Sequence, residues 1–159
     1  MKKLLILILF PWLITSCSNS DDDMPSIKVL SILINDDLEN YNERPNLPTL
    51  NIYDEVKFLL QLSGNGNDLR SFVIRTDQNW IGTTVEPRDE EEISDLSDIE
   101  DGQFVFVDGV RSTYVIVTAK ILRITDDPGT ISFYLNSKSS DVESAVVSYE
   151  LITATTQNN

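Results

Sequence analysis

The chain has 159 residues, with 26 Asp and Glu against 12 Lys and Arg, one cysteine and no histidine. A formal charge of −14 repels nucleic-acid phosphates and anionic membrane surfaces, so no nucleic-acid partner is expected. Without histidine there is no Ser–His–Asp or Cys–His relay, no HExxH zinc site and no imidazole acid–base catalysis. Carboxylate-only chemistry, such as paired-acid glycoside hydrolysis, is what survives.

In chain order, Lys2 and Lys3 precede the apolar run Leu4 to Phe10, and the small pair Thr15-Ser16 precedes Cys17. A basic start, a short apolar middle and small residues before a cut have the layout of a secretory signal. The apolar run is broken by Pro11 and falls short of the roughly 20 apolar residues that a membrane-spanning helix needs. The string Leu13-Ile14-Thr15-Ser16-Cys17 resembles a bacterial lipobox. That resemblance implies cleavage after residue 16, with Cys17 as the lipid-attachment residue that heads the mature chain and holds it to the bilayer through acyl chains. Acylation leaves no thiol for a disulfide, a thiolate metal site or a cysteine nucleophile. Residues 1–16 thus read as the signal peptide, 17–25 as an acylated acidic tether and 26–155 as one domain. Losing Lys2 and Lys3 leaves 10 basic against 26 acidic side chains on 143 residues, a formal −16. The tether reads Ser-Asn-Ser-Asp-Asp-Asp from Ser18 to Asp23. It resembles the export signal of surface lipoproteins in Bacteroidota, though its acids begin only at Asp21, later than in the tightest versions; the resemblance implies an outer-membrane lipoprotein displayed on the cell surface, with the inner leaflet of that membrane as the alternative.

Beyond the tether the pattern is β. Ile27 to Asn35 is rich in leucine and β-branched residues, and the Pro- and Asn-containing stretch Leu38 to Leu50 reads as an irregular connection. Val56, Phe58, Leu60 and Leu62 alternate with Lys57, Leu59, Gln61 and Ser63, which predicts a strand with one buried face. Gly64-Asn65-Gly66-Asn67 ends it with residues that accept the positive φ of a tight hairpin. Leu69 to Thr76 resumes with Phe72 and Ile74 inward. Residues 86–101 hold nine acids, among which Ile93, Leu96 and Ile99 recur every third position, so a short helical turn is expected there. Phe104 to Val107 is the next strand. Tyr114 to Ile124 buries Val115, Val117, Ala119 and Ile121. Asp127-Pro128-Gly129-Thr130 reads as a turn with Pro at its first corner and Gly at its second. Ile131, Phe133 and Leu135 share a face, Val142 to Thr153 is the last strand with Ala145, Val147, Tyr149 and Leu151 inward, and the tail from Thr155 is expected to fray. These make about seven strands joined by sequential hairpins, the mark of an all-β antiparallel sandwich.

The stretch Asp54 to Gly66 resembles the second and third strands of immunoglobulin-like domains on bacterial surface proteins. With the lipobox and the acid string, the whole chain resembles a small Bacteroidota surface lipoprotein with a single immunoglobulin-like domain, of a family without assigned function. The resemblance implies an immunoglobulin-like β-sandwich and an envelope address. The tyrosine corner of that fold is unmatched, since no aspartate stands four residues before Tyr114, and its inter-sheet cysteine pair is absent.

Chemistry-bearing candidates are few. Asp95, Asp98 and Asp101 would line one face of a helical turn, but their spacing does not match a D-x-D-x-D-G calcium loop, so no metal is assigned. Trp80 reads as a core residue, with sugar stacking as the competing reading. Gly64-Asn65-Gly66 lacks the Lys and Ser or Thr of a phosphate loop. Arg70, Arg75 and Arg111 are scattered and read as snorkelling or paired with acids. The expectation is a non-enzymatic, lipid-anchored binding or accessory domain without cofactor, whose partner is an envelope protein or a glycan. The alternatives are a glycan-capturing lipoprotein of a polysaccharide-uptake system and a carboxylate-dependent glycoside hydrolase.

Overall fold

Alternation of apolar side chains dictates the strands, and their buried faces dictate how the strands stack. The computed structural model describes residues 24–76, 79–139 and 143–154. Strand β2 (Glu55–Ser63) buries Val56, Phe58, Leu60 and Leu62 completely, every second residue as the pattern requires. It pairs on one side with β1 (Ser26–Ile34) and on the other with β6 (Ser112–Ile121), which buries Val115, Val117, Ala119 and Ile121. Strand β4 (Ile81–Pro87) pairs with the far side of β6, so this sheet runs β1-β2-β6-β4. The second sheet runs β5-β3-β7-β8, from β5 (Gln103–Val105), β3 (Leu69–Thr76), β7 (Gly129–Ser137) and β8 (Ala145–Leu151). Every pairing between these strands is antiparallel. The two inner faces meet in an all-β sandwich whose centre is aromatic. The Phe58 ring lies 5.2 Å edge-on from Phe133 and 5.1 Å from Tyr149, and Phe72 stacks on Phe133 at 6.1 Å. Burying each such ring is worth roughly 1.5–3 kcal/mol, and that, without disulfides, is what joins the sheets.

Eight strands form where the sequence predicts about seven, and the extra one is β4. Only Ile81 and Val85 of its residues are buried, with Gly82, Thr83 and Thr84 between them, so its inward face carries a weak apolar signal. The predicted run of hairpins also needs correction. Among the described strands only β1/β2 and β7/β8 are consecutive and paired; the other connections cross between sheets. The Gly64–Asn67 turn does form. Asn67 N–H donates to Gly64 O at 3.1 Å, with Asn65 and Gly66 at φ 47° and 97°. It delivers the chain from β2 to the opposite sheet, because apolar faces on both flanking strands are better buried against each other than side by side.

The acidic segment is not a helix with an apolar stripe. A single 3-10 turn, Glu90–Glu92, is followed by extended chain that bridges back at Ile93 to Phe106 and at Asp98 to Gln103. Leu96 is 81% exposed, and of the three-spaced hydrophobics only Ile93 packs on the core. The pairing wins because the outer edge of β5 has backbone groups to satisfy. Ser97 completes that seam: its Oγ accepts from Val105 N–H at 2.8 Å and donates to Val105 O at 3.2 Å. The outer edge of β1 is covered in a related way. Ile32 N–H donates to Asn40 Oδ1 at 2.9 Å, Tyr41 N–H to Ile32 O at 2.8 Å, and Asn42 Nδ2 to Val29 O at 2.9 Å.

Candidate binding site

Strand β4 has a groove on either side. On the outer face of the first sheet, antiparallel register lines up Ser31, Leu59, Ile116 and Glu86 across β1, β2, β6 and β4. The next row brings Gln61 and Tyr114 together, and Arg88 N–H donates to Tyr114 O at 3.0 Å just past the end of β4. The Arg88 guanidinium lies 5.3 Å from the centre of the Tyr114 ring, a cation–π contact that fixes both side chains. Leu59 and Ile116 form the floor of a groove of about 390 Å³ that the Val115 backbone and Pro87 also border, with Tyr114 and Arg88 along its flank. Ile116 is 38% exposed there, so apolar surface is on offer to solvent.

Charge takes over at the other end of this face. Lys120 Nζ lies 2.7 Å from Glu55, and Lys57 is paired with Asp36. The hydrogen bond that Lys57 donates to Asp36, helped by the fields of Asp36, Glu55 and Glu86, holds its ammonium above its ordinary pKa.

A second groove, of about 640 Å³, opens on the other side of β4, between its C-terminal half and residues 93–99. Val85, Ile93 and Ile99 supply its apolar lining, and Glu86, Glu90 and Asp95 supply negative charge. Glu86 and Pro87 border both grooves, so β4 is the ridge between them. Such a surface can hold apolar side chains and attract cationic ones.

The titratable groups with displaced pKa values serve structure. Burial would raise the Asp54 carboxyl, but the Asn51 backbone N–H and the Asn35 and Asn51 amides outweigh it and hold it below the ordinary range. Asp68 is also held low, first by Gly109 N–H at 2.9 Å and then by Arg111 Nε at 3.2 Å. It ties the β2–β3 turn to the loop before β6. Burial raises the Tyr149 phenol.

The residues singled out in the sequence fall as follows. Cys17, the signal peptide and the acidic string to Asp23 lie outside the described residues, as does the tail from Thr155. Trp80 is 1% exposed, inside the core, and is no sugar platform. Asp98 turns its carboxylate onto the backbone of the turn that follows it, accepting from Asp101 N–H at 3.1 Å. Among the described residues no three acidic side chains converge on a point that would hold a metal ion. Arg111 pairs with Asp68, Arg75 lies 5.7 Å from the Tyr134 ring centre and Arg70 is exposed. Neither groove is foreseen in the sequence. The one local hint is Pro87, a residue tolerated in sheets at edges, closing a strand of mixed polarity.

Residues 17–153 match the model of a protein family described as a domain of unknown function, DUF5035. The chain belongs to the DUF5035 family. Solved structures similar to this DUF5035 chain include two of known description. The human F-spondin reeler domain shares 14% identity at a TM-score of 0.43, over 78% of this chain and 91% of that one. A DUF4466 family protein from Parabacteroides merdae shares 12% identity at a TM-score of 0.42, over 83% of this chain. The match takes in 44% of that longer protein. No curated protein matches the DUF5035 chain.

Proposed function

We propose that this DUF5035 chain is a non-catalytic binding domain of the cell envelope, anchored by lipid at Cys17 in the outer membrane and displayed on the cell surface. The observation that carries the binding role is the pair of apolar-floored grooves either side of β4. The anchor is supported by the lipobox-like Leu13-Ile14-Thr15-Ser16-Cys17 and by the family match, which starts at Cys17. An immunoglobulin-like character is supported by strand order. With β5 set aside, β1-β2-β6-β4 against β3-β7-β8 follows the A-B-E-D against C-F-G order of constant-type immunoglobulin sandwiches. A protein partner is favoured over a glycan, because burial of Trp80 removes the indole on which a sugar would stack.

Metabolic labelling with a palmitate analogue tests the anchor. Wild type takes the label and fractionates with membranes, whereas Cys17→Ala stays unlabelled and leaves them. An unlabelled wild type, or a Cys17→Ala form that fractionates unchanged, overturns the address.

A further inference from the structure

A strand at the end of a sheet carries a row of backbone groups with no ladder partner, and folded proteins usually cover it. Here β1 is covered by Asn40, Tyr41 and Asn42, and β5 by residues 93–98. The fourth end strand, β8, is met just past its end by Leu50, whose N–H donates to Ile152 O at 2.8 Å and whose C=O accepts from Ala154 N–H at 2.9 Å; no described residue does as much for β4. Leu122 N–H donates to Trp80 O at 2.8 Å, and Arg88 N–H to Tyr114 O at 3.0 Å. Bonded pairs alternate along an antiparallel ladder, so residues 80, 82, 84, 86 and 88 turn their backbone toward β6. Thr83 and Val85 therefore turn their N–H and C=O groups off the edge, and no described residue hydrogen-bonds to them. Beside that open edge lies the groove between β4 and residues 93–99.

We infer that β4 is a docking edge that takes up an extended segment of a partner protein as an added strand. An incoming strand would bond to Thr83 and Val85, and its alternate side chains would fall on opposite sides. One set meets the apolar lining of Val85, Ile93 and Ile99; Glu86, Glu90 and Asp95 select Lys or Arg nearby. The partner segment is thus extended and alternates apolar with basic residues. A second copy of this chain fits poorly, because it brings a further formal −14 and the same acids to the seam. Pro87 has no N–H and closes the register at one end. This inference deepens the binding role proposed above and is independent of the lipid anchor.

The test uses the full chain and short synthetic peptides alternating valine and lysine. Two controls replace lysine by glutamate or N-methylate the backbone of alternate residues on the pairing edge. Binding is read by fluorescence anisotropy. The valine–lysine peptide binds, and each control loses about tenfold or more in Kd, the worth of one or two backbone hydrogen bonds or close charge pairs. Thr83→Pro loses as much with unchanged melting, since an edge strand tolerates Pro where the N–H faces solvent. If that variant fails to fold, Glu90→Lys with Asp95→Lys replaces it and shifts preference to the valine–glutamate peptide. Equal binding of the N-methylated peptide, wild-type binding by Thr83→Pro, an unshifted preference in the Lys variant, or no valine–lysine binding up to about 1 mM overturns the inference. Self-association that Thr83→Pro abolishes also overturns it, assigning the edge to a second copy. Palmitate labelling is scored separately, so loss of the anchor leaves peptide binding intact.

Discussion

Gly129 shows how one side chain of zero size can organise a core. A Cβ built there would lie 2.6 Å from Trp80 Cζ2 and 2.8 Å from Ile81 Cδ1, nearer than atoms can stand. Its φ lies outside the left-handed region, and it pairs with Leu151 at the start of β7. The sequence places this glycine at the corner of a Pro-Gly turn. The structure instead requires it because the Trp80 indole packs directly against its backbone. Gly129→Ala should cost about 1–3 kcal/mol, the usual price of overfilling a packed site. Urea unfolding reads the loss, and Trp80 emission should move with it. Adding Trp80→Phe, which shortens the ring system at the clash, should recover part of the loss in a double-mutant cycle. Additive effects of the two substitutions would mean that the indole and Gly129 do not share one space.

At the scale of elements, strands with a full alternating face were legible because their pattern is local. Val56, Phe58, Leu60 and Leu62 in β2, and Ile131, Phe133 and Leu135 in β7, are all buried as their period predicts. Strand β4 was not legible, since an edge strand with two buried residues looks like a connection until β6 is beside it. The acidic segment misled for the opposite reason. Its three-residue spacing suggests a helix, but the unmet edge of β5 draws it into extended pairing. The grooves depend on that same non-local pairing, so no motif announces them, whereas the fate of Trp80 followed from its bulk alone. Ser97 is where the acidic segment is fastened. Ser97→Ala removes both bonds to Val105 and leaves its N–H bare, which should cost about 1–3 kcal/mol. Amide exchange should accelerate at Val105 while the β2 and β6 amides stay protected. Unchanged exchange at Val105 would show that the serine is dispensable to the seam.

For the whole molecule, two electrostatic effects oppose one another as pH falls. The chain carries a formal −14 at neutrality and a pI near 4.1, so acidification first relieves self-repulsion. Salt should mimic this relief, because exposed like charges are screened at a Debye length of about 8 Å in physiological salt. Against it stand Asp54 and Asp68, whose carboxyls ionise more readily folded than unfolded. A depressed folded pKa contributes stability that is complete above the unfolded value of about 3.9 and is lost as pH falls through the folded value. Stability should therefore hold or rise from neutrality toward about pH 5, then drop below about pH 4 as the two aspartates protonate. Asp54 carries the larger structural burden, since its carboxylate receives Asn35 Nδ2 at 2.8 Å, Asn51 N–H at 2.7 Å and Asn51 Nδ2 at 3.3 Å. Asp54→Asn should lower stability at neutral pH and flatten the acid limb, measured by urea unfolding in high salt so that repulsion is constant. An acid limb as steep in Asp54→Asn as in wild type would place the lability elsewhere, with Asp68→Asn as the next variant to compare.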